Sequence, residues 1–193
     1  MASDPRLVVI KDDVPAVVAA INELIQKEVL IGIPDSTANR DEEEDGAMNN
    51  ATLGYIHENG SPKANIPARP FLVPGVEKSE EPAVARLKNA AKATLSGDVH
   101  KADKYLNDAG IIAMNGARRE IQYGDFEPLK PSTIRNRHRQ RGTKMRDNER
   151  QYLELVSQGM APADAQAAAG IRPLINTAQL RNAITYVIRK GKT

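Results

Sequence analysis

The side chains that could do chemistry are few and scattered. The chain has no cysteine, and its three histidines, His57, His100 and His138, do not have the spacing of paired metal ligands. His57-Glu58 is not the start of an H-E-x-x-H zinc site, because Ser61 stands where the second histidine would be. Nucleophile-elbow, phosphate-loop and dinucleotide fingerprints are absent from the sequence. A hydrolase would need a clustered catalytic group, which this sequence does not provide, so we expect a protein that is not an enzyme and has no cofactor.

The charged residues are distributed unevenly, although the formal net charge of the 193 residues is only +2. Residues 35–58 hold seven acidic residues and one basic residue, and the run 41–45 lacks the spaced ligands and glycine of a calcium loop. Residues 130–150 hold eight basic residues and two acidic ones. Blocks of like charge are usually solvated segments, but they also suit contacts with an oppositely charged surface.

The basic block has a pattern that bears on nucleic acid. Arg135, Arg137, Arg139 and Arg141 occupy alternate positions, so in a helix they would spread around the surface instead of forming one stripe. This argues against a dedicated recognition helix and fits diffuse contact with phosphates, which reads no base sequence. Aromatic side chains do not interleave with these arginines, which argues against stacking on single-stranded bases.

The first half of the chain is predicted to open with a strand, a helix and a second strand. Residues 6–11 are rich in β-branched residues, residues 14–27 repeat apolar side chains at helical spacing, and residues 29–33 read as the second strand. An acidic loop follows over 35–48, and then a short helix that Asn49 or Asn50 caps and that Asn59-Gly60 ends. Four prolines between 60 and 74 predict a stiff, extended arm.

The second half is predicted to be mainly helical. We expect helices over 77–95 and 98–123, the second being a central helix in which Gly110 and Gly116 allow close approach of another backbone. A short helix follows Pro128-Leu129-Lys130-Pro131, residues 143–170 form a helical insert, and a last strand covers 183–189. The predicted fold class is α+β, with a small, mostly antiparallel sheet packed on the long central helix, in a single domain over residues 1–193.

Composition predicts a light core. Aromatic residues make up 4% of the chain, with no tryptophan and two phenylalanines, so the interior must be built from Ala, Val, Ile and Leu. Alanine packs closely but buries little area, so we expect part of the stability to come from partner subunits. We expect no membrane association, because the sequence has no apolar run of the length that spans a bilayer and no signal pattern at its N-terminus.

Three segments, taken in order, resemble the neck and tail-completion (virion morphogenesis) proteins of tailed bacteriophages. The first is Tyr55-Ile56-His57-Glu58-Asn59-Gly60 followed by Ile66-Pro67-Ala68-Arg69-Pro70-Phe71-Leu72. The second is Pro128-Leu129-Lys130-Pro131-Ser132-Thr133-Ile134. The third is Pro173-Leu174-Ile175-Asn176-Thr177-Ala178-Gln179-Leu180-Arg181-Asn182-Ala183-Ile184. The resemblance runs from about residue 29 to the C-terminus.

The chain departs from the family pattern at two positions, where Asn176 and Ala178 stand in place of the usual Asp and Gly. Asn still caps a helix, but Ala does not take a positive φ as easily as Gly. We therefore expect the chain to bend less at residue 178, or to bend elsewhere.

The resemblance implies a structural protein that forms a homo-oligomeric ring, with six-fold symmetry as one candidate, between the portal or adaptor side and the tail side of a virion, around non-specifically contacted double-stranded DNA. The related role of tail-terminator ring is not separated from this one by sequence, and a monomeric nucleic-acid-binding protein that uses residues 130–150 is a further alternative. The DNA-channel candidates are Arg135, Arg137, Arg139, Arg141, Lys144 and Arg146. The subunit-interface candidates are Ile66, Pro67, Arg69, Pro70, Phe71, Leu72, Leu180 and Arg181.

Overall fold

The computed structural model describes residues 14–34, 36, 48–139, 147–175 and 178–191, without the side chains of 138 and 139. Their helices and strands, in chain order, are α1 (Val14–Ile25), β1 (Lys27–Gly32), α2 (Asn50–Asn59), a 3-10 turn (Pro62–Ala64), α3 (Leu72–Glu77), α4 (Glu80–Leu95), α5 (Val99–Tyr123), α6 (Pro131–Arg139), α7 (Asp147–Ser157), α8 (Pro162–Ala168), α9 (Gln179–Ala183) and β2 (Thr185–Lys190). The predicted strand 6–11 and nearly all of the acidic loop 35–48 lie outside the described residues.

Backbone contacts divide the chain into two compact units. The first comprises residues 1–31, 79–113 and 186–193, and the second comprises 32–78 and 114–185. This division describes backbone contacts and does not test the predicted single domain over residues 1–193, which stays a prediction.

The sheet and the long helix confirm the predicted α+β class. Strands β1 and β2 pair antiparallel, and the Gly191 N–H donates to the carbonyl of Gln26 at 2.6 Å at the end of the ladder. In β2 the half-buried Tyr186 and Ile188 alternate with the exposed Val187. The ring of Tyr186 lies directly over Gly110 of α5, where no side chain would fit. Gly110 therefore makes room for an aromatic side chain, whereas the sequence predicted the close approach of another backbone.

The first unit also contains α1 and α4, which pack against each other. Helix α1 has no buried residue. Val18 is half exposed, and Val14 and Ile25 are more than half exposed. A helix with almost no polar residue is normally buried, so α1 leaves apolar surface without cover from the described residues.

The interior is built from small side chains, as the composition predicted. Of the nineteen buried apolar residues in the described part of the chain, ten are alanine. The larger buried side chains of the second unit include Phe71, Ile121, Ile134 and Tyr152. Small residues also permit close backbone contact there: a Cβ placed on Gly75 of α3 would lie 2.5 Å from the Cα of Ala117 in α5. The buried apolar residues are therefore mostly small, with only a few large side chains among them.

The predicted extended arm over 60–74 is only partly extended. Ser61 and Ile66 form an antiparallel bridge around the 3-10 turn, and α3 already begins at Leu72. Two of the four prolines occupy positions that tolerate them, because Pro62 opens the 3-10 turn and Pro74 stands in the first turn of α3. A proline there removes an N–H that has no partner within the helix, so it does not break the helix.

The expectation that the chain avoids a sharp bend at residue 178 is wrong. Ala178 has φ 62° and ψ 0°, in the left-handed region, immediately before α9. The alanine therefore takes the conformation for which glycine is better suited, and some strain stays in the backbone.

Candidate subunit interface

Glu58, near the end of α2, holds the beginning of α3. Its carboxylate accepts three backbone hydrogen bonds, from Phe71 and Leu72 at 2.8 Å each and from Val73 at 3.0 Å. The first N–H groups of a helix have no partner within the helix and carry partial positive charge. One carboxylate therefore satisfies three of these donors, which gives the Glu58 of the resemblance a structural task.

The turn after α2 brings Glu58 to this position. Asn49 caps the start of α2 by accepting the Thr52 N–H at 2.8 Å, and Gly60 ends the helix with φ 75°. A Cβ on Gly60 would lie 2.9 Å from the Ala68 nitrogen, so only glycine fits. The Arg69 N–H then donates to the His57 carbonyl at 2.6 Å, which holds the returning chain against α2.

Arg69 connects this turn with the second segment of the resemblance. Its side chain is 5% exposed and donates from Nε to the Glu127 carbonyl at 3.0 Å and from Nη2 to the Pro128 carbonyl at 3.4 Å. Burial lowers the pKa of Arg69, and the nearby Glu127 carboxylate acts in the opposite direction. The guanidinium thus serves as an internal tie between two chain segments.

His57 lies in the same region and is half-buried. Burial, and then the positive charges of Arg69 and Arg137, lower its pKa from 6.5 to about 4. The Nδ1 atom is buried and has no hydrogen-bond partner in the described part of the chain. The imidazole is therefore neutral at pH 7.

The third segment of the resemblance packs on α2 through Leu180. Helix α9 contacts α2, and a Cβ on Gly54 would lie 3.7 Å from Leu180 Cδ1 and 3.8 Å from Phe71 Cζ. Arg118 of α5 ties the same segment by donating to the Ile184 carbonyl at 2.7 Å from Nη2. Arg181 adds a bond from Nη1 to Gln122 Oε1 at 3.0 Å. The three segments thus meet within the second unit, and we call this meeting place the motif junction.

An apolar groove opens beside the motif junction. Its volume is about 300 Å³, and its walls include Ile33, Ala51, Gly54, Tyr55, Phe71 and Leu72. Tyr55 on α2 is 71% exposed, and Val73, the neighbour of Leu72 in α3, is 55% exposed. A groove with apolar walls and exposed large side chains beside it is typical of a surface that another protein covers.

The predicted interface residues divide into two groups in the structure. Pro70 is exposed, and Ile66, Pro67, Leu72 and Arg181 are half-buried, so these five reach the surface. Arg69, Phe71 and Leu180 are buried in the chain itself, with 5%, 2% and 8% exposure. These three hold the motif junction together instead of presenting a surface.

The sequence did not single out Tyr55 and Val73 as interface residues. Both stand in or next to the first segment of the resemblance, but their exposure depends on which side of α2 and α3 packs inward. The sequence feature that indicates the exposure of Tyr55 is the Gly54-Tyr55 pair. The small residue lies on the packed side of α2, and the large residue that follows lies on the solvent-exposed side.

The predicted DNA-channel residues are not brought together within the described residues. Arg135 is exposed, but Arg137 is half-buried and donates to the Pro173 carbonyl at 2.7 Å, with further carbonyls of the same loop at 3.4 Å. Arg137 is therefore occupied in holding the loop before α9. The Arg139 side chain, Arg141, Lys144 and Arg146 lie outside the described part of the chain.

The described residues also bear on metal binding and on membranes. No group of three His, Asp or Glu side chains among them could hold a metal ion. The helices they form do not combine the length and the apolar character needed to cross a membrane. No protein-family model, curated protein or solved structure matches this chain.

Proposed function

We propose that the chain is a structural virion protein of a tailed phage, which forms a ring in the neck that completes or joins the tail and surrounds the DNA channel. The closely related task of a tail-terminator ring belongs to the same proposal. The observation that carries it is the motif junction, where the three segments that resemble neck and tail-completion proteins pack on one another.

The contacts of the motif junction support the resemblance because each segment depends on another. Glu58 holds the start of α3, Arg69 holds Pro128, and Leu180 packs beside Gly54 and Phe71. Segments with such contacts belong to one structural unit, and this shared packing is what supports the proposal. Fold alone does not determine function, so the assembly itself needs a direct test.

The surfaces of the chain suit assembly from identical copies. The groove beside Tyr55 and Val73 in the second unit and the uncovered face of α1 in the first unit are different apolar surfaces of one chain. When two different surfaces of one chain pair head to tail, the contact repeats and closes into a ring if the rotation permits. We propose that a neighbouring copy covers the groove, with Tyr55 and Val73 as its central contacts.

The experiment compares Tyr55→Glu with Tyr123→Glu by measuring the mass of the purified full-length protein in solution and imaging it by electron microscopy. Tyr123 is a matched control because it is 64% exposed and does not line the groove. We expect the unmodified chain and Tyr123→Glu to form rings, and Tyr55→Glu to remain monomeric with an unchanged circular dichroism spectrum. Rings of Tyr55→Glu would show that the groove is not the interface, and absence of rings from every protein would contradict the proposed function.

A further inference from the structure

A tight corner joins α4 to α5. Gly97, with φ 74°, donates its N–H to the Thr94 carbonyl at 3.0 Å, and the next residue, Asp98, donates its N–H to the Ala93 carbonyl at 2.9 Å. This pair of bonds is the Schellman ending of a helix. The Asp98 carboxylate then accepts the Lys101 N–H at 2.9 Å and caps α5. One residue therefore both completes α4 and begins α5, which fixes the two helix ends beside each other.

Four lysines project from this corner, and we call them the lysine corner: Lys88 and Lys92 on α4, and Lys101 and Lys104 on α5. All four are exposed. Lys88 and Lys92 are one helical turn apart, as are Lys101 and Lys104, so each pair shares a face of its helix. Lys92 and Lys101 also line the same surface cavity of about 220 Å³, whose other walls are Asn89, Ala93, Ser96, Asp98 and Tyr105. The two helix ends thus bring Lys92 and Lys101 to one cavity, and Lys88 and Lys104 each stand one helical turn away on the same face of their helix.

The ammonium groups of the lysine corner outnumber the carboxylates near them in the described part of the chain. Asp98 lines the same cavity and caps α5, and Asp103 accepts a bond from Lys27 Nζ at 2.7 Å. Asp108 stands one helical turn after Lys104. The ion pairs found in the described part of the chain involve none of the four lysines. Four exposed ammonium groups of like charge, held close by a rigid corner, repel one another and attract a polyanion.

We propose that the lysine corner binds the phosphate backbone of double-stranded DNA. Lysine is depleted in protein–protein interfaces, where aromatic residues and arginine supply the main contacts. A phosphate backbone requires only flexible point charges on a polar surface, and the cavity walls here are polar, charged or short side chains apart from Tyr105, with Asp98 as the one carboxylate among them. The contact would fix the position of the DNA without reading its sequence. The inference rests on the proposed function, because the DNA is the molecule that the proposed ring surrounds. It assigns the phosphate contact to α4 and α5 instead of residues 135–146.

The experiment measures the affinity of the full-length protein for a short, labelled duplex of mixed sequence over a range of salt concentrations. The first variant replaces Lys88, Lys92, Lys101 and Lys104 with Gln. The matched control replaces Lys63, Lys130, Arg172 and Lys190, four exposed basic residues elsewhere in the chain, with Gln. A further variant replaces the exposed apolar residues Leu95 and Val99 of the corner with Gln. The mass of the assembled protein is recorded for every variant, so that a failure to bind DNA is distinguished from a failure to form a ring.

Each phosphate contact contributes about 0.9 to the slope of log affinity against log salt concentration, so four contacts contribute about 3.6. A fourfold rise in salt, from about 50 to about 200 mM, should then cost the unmodified protein about 150-fold more affinity than the lysine-corner variant. We expect the control variant to keep most of the slope and the Leu95/Val99 variant to bind DNA unchanged.

Three results would overturn the proposal. The first is an equal loss of slope in the lysine-corner and control variants, which would mean that only the net charge matters. The second is an unchanged slope in the lysine-corner variant together with a loss when Arg135, Arg139, Arg141, Lys144 and Arg146 are replaced with Gln. The third is a lysine-corner variant whose assembled mass changes while its DNA binding does not, which would identify an acidic protein surface as the partner.

Discussion

Replacing Ala178 with glycine should stabilise the protein. Ala178 has φ 62°, and a residue with a Cβ in this left-handed region is less stable than in a right-handed conformation by roughly 1–2 kcal/mol. Glycine removes this cost but makes the unfolded chain more flexible, which costs about 0.5–1 kcal/mol. The balance predicts that Ala178→Gly raises the free energy of unfolding by about 0.5–1 kcal/mol.

The matched control is Ala161→Gly. Ala161 also stands directly before a helix, without a side-chain capping bond, but has an ordinary φ of −60°. The gain in flexibility of the unfolded chain and the small advantage of glycine before a helix are common to both substitutions. The difference between the two changes therefore isolates the backbone strain, and we expect it to be about 1–2 kcal/mol in favour of Ala178→Gly.

The assay is equilibrium unfolding by urea, with thermal unfolding as a second measurement. For a chain of this length, a gain of about 1 kcal/mol should raise the midpoint temperature by about 2–4 °C. Equal effects of the two substitutions, or a loss of stability in Ala178→Gly alone, would refute the argument that residue 178 is strained.

Two further predictions concern α2. Glu58→Gln removes the charge that accepts three backbone N–H groups, so it should lower the free energy of unfolding by about 1–3 kcal/mol, whereas Glu77→Gln on the exposed side of α3 should change it little. Similar values for the two glutamates in urea unfolding would contradict this role. His57 has a pKa of about 4 in the folded chain and 6.5 in the unfolded chain, so the unfolded state binds more protons between these two pH values. The free energy of unfolding therefore falls as the pH is lowered through this window, by on the order of 3 kcal/mol in all. His57→Gln should remove this part of the pH dependence, and an unchanged profile would show that another group causes it.

Most of the helices and strands could be predicted from the sequence because their signals are local. Apolar spacing places α5, Asp98 caps it, and Asn49 and Gly60 bound α2, all as expected from residue types. The structure differs from the predicted arm because the prediction treats every proline as a breaker, whereas Pro62 and Pro74 stand in the first turns of helical segments. The bend at Ala178 differed because surrounding packing can hold a residue in a conformation that its type disfavours.

The candidate interface was harder to predict, because exposure depends on contacts between distant segments. Phe71 is a large apolar residue in a segment expected to project, and only its packing beside Gly54 shows that it belongs to the interior. Arg137 carried the same charge as its neighbours in the sequence, but the loop carbonyls that it binds come from residues 172–175. The lysine corner was also missed, because its four lysines form two separate pairs along the chain that a single turn brings together.

The most direct test of the central claim is the mass distribution of the purified full-length protein, measured by mass photometry from nanomolar to high micromolar concentration and accompanied by electron micrographs of the same samples. The account predicts one dominant species whose mass is a fixed multiple of the 21.0 kDa chain and which appears as a closed ring with a central channel. A monomer over the whole range of concentration, or open filaments of no fixed length, would contradict it.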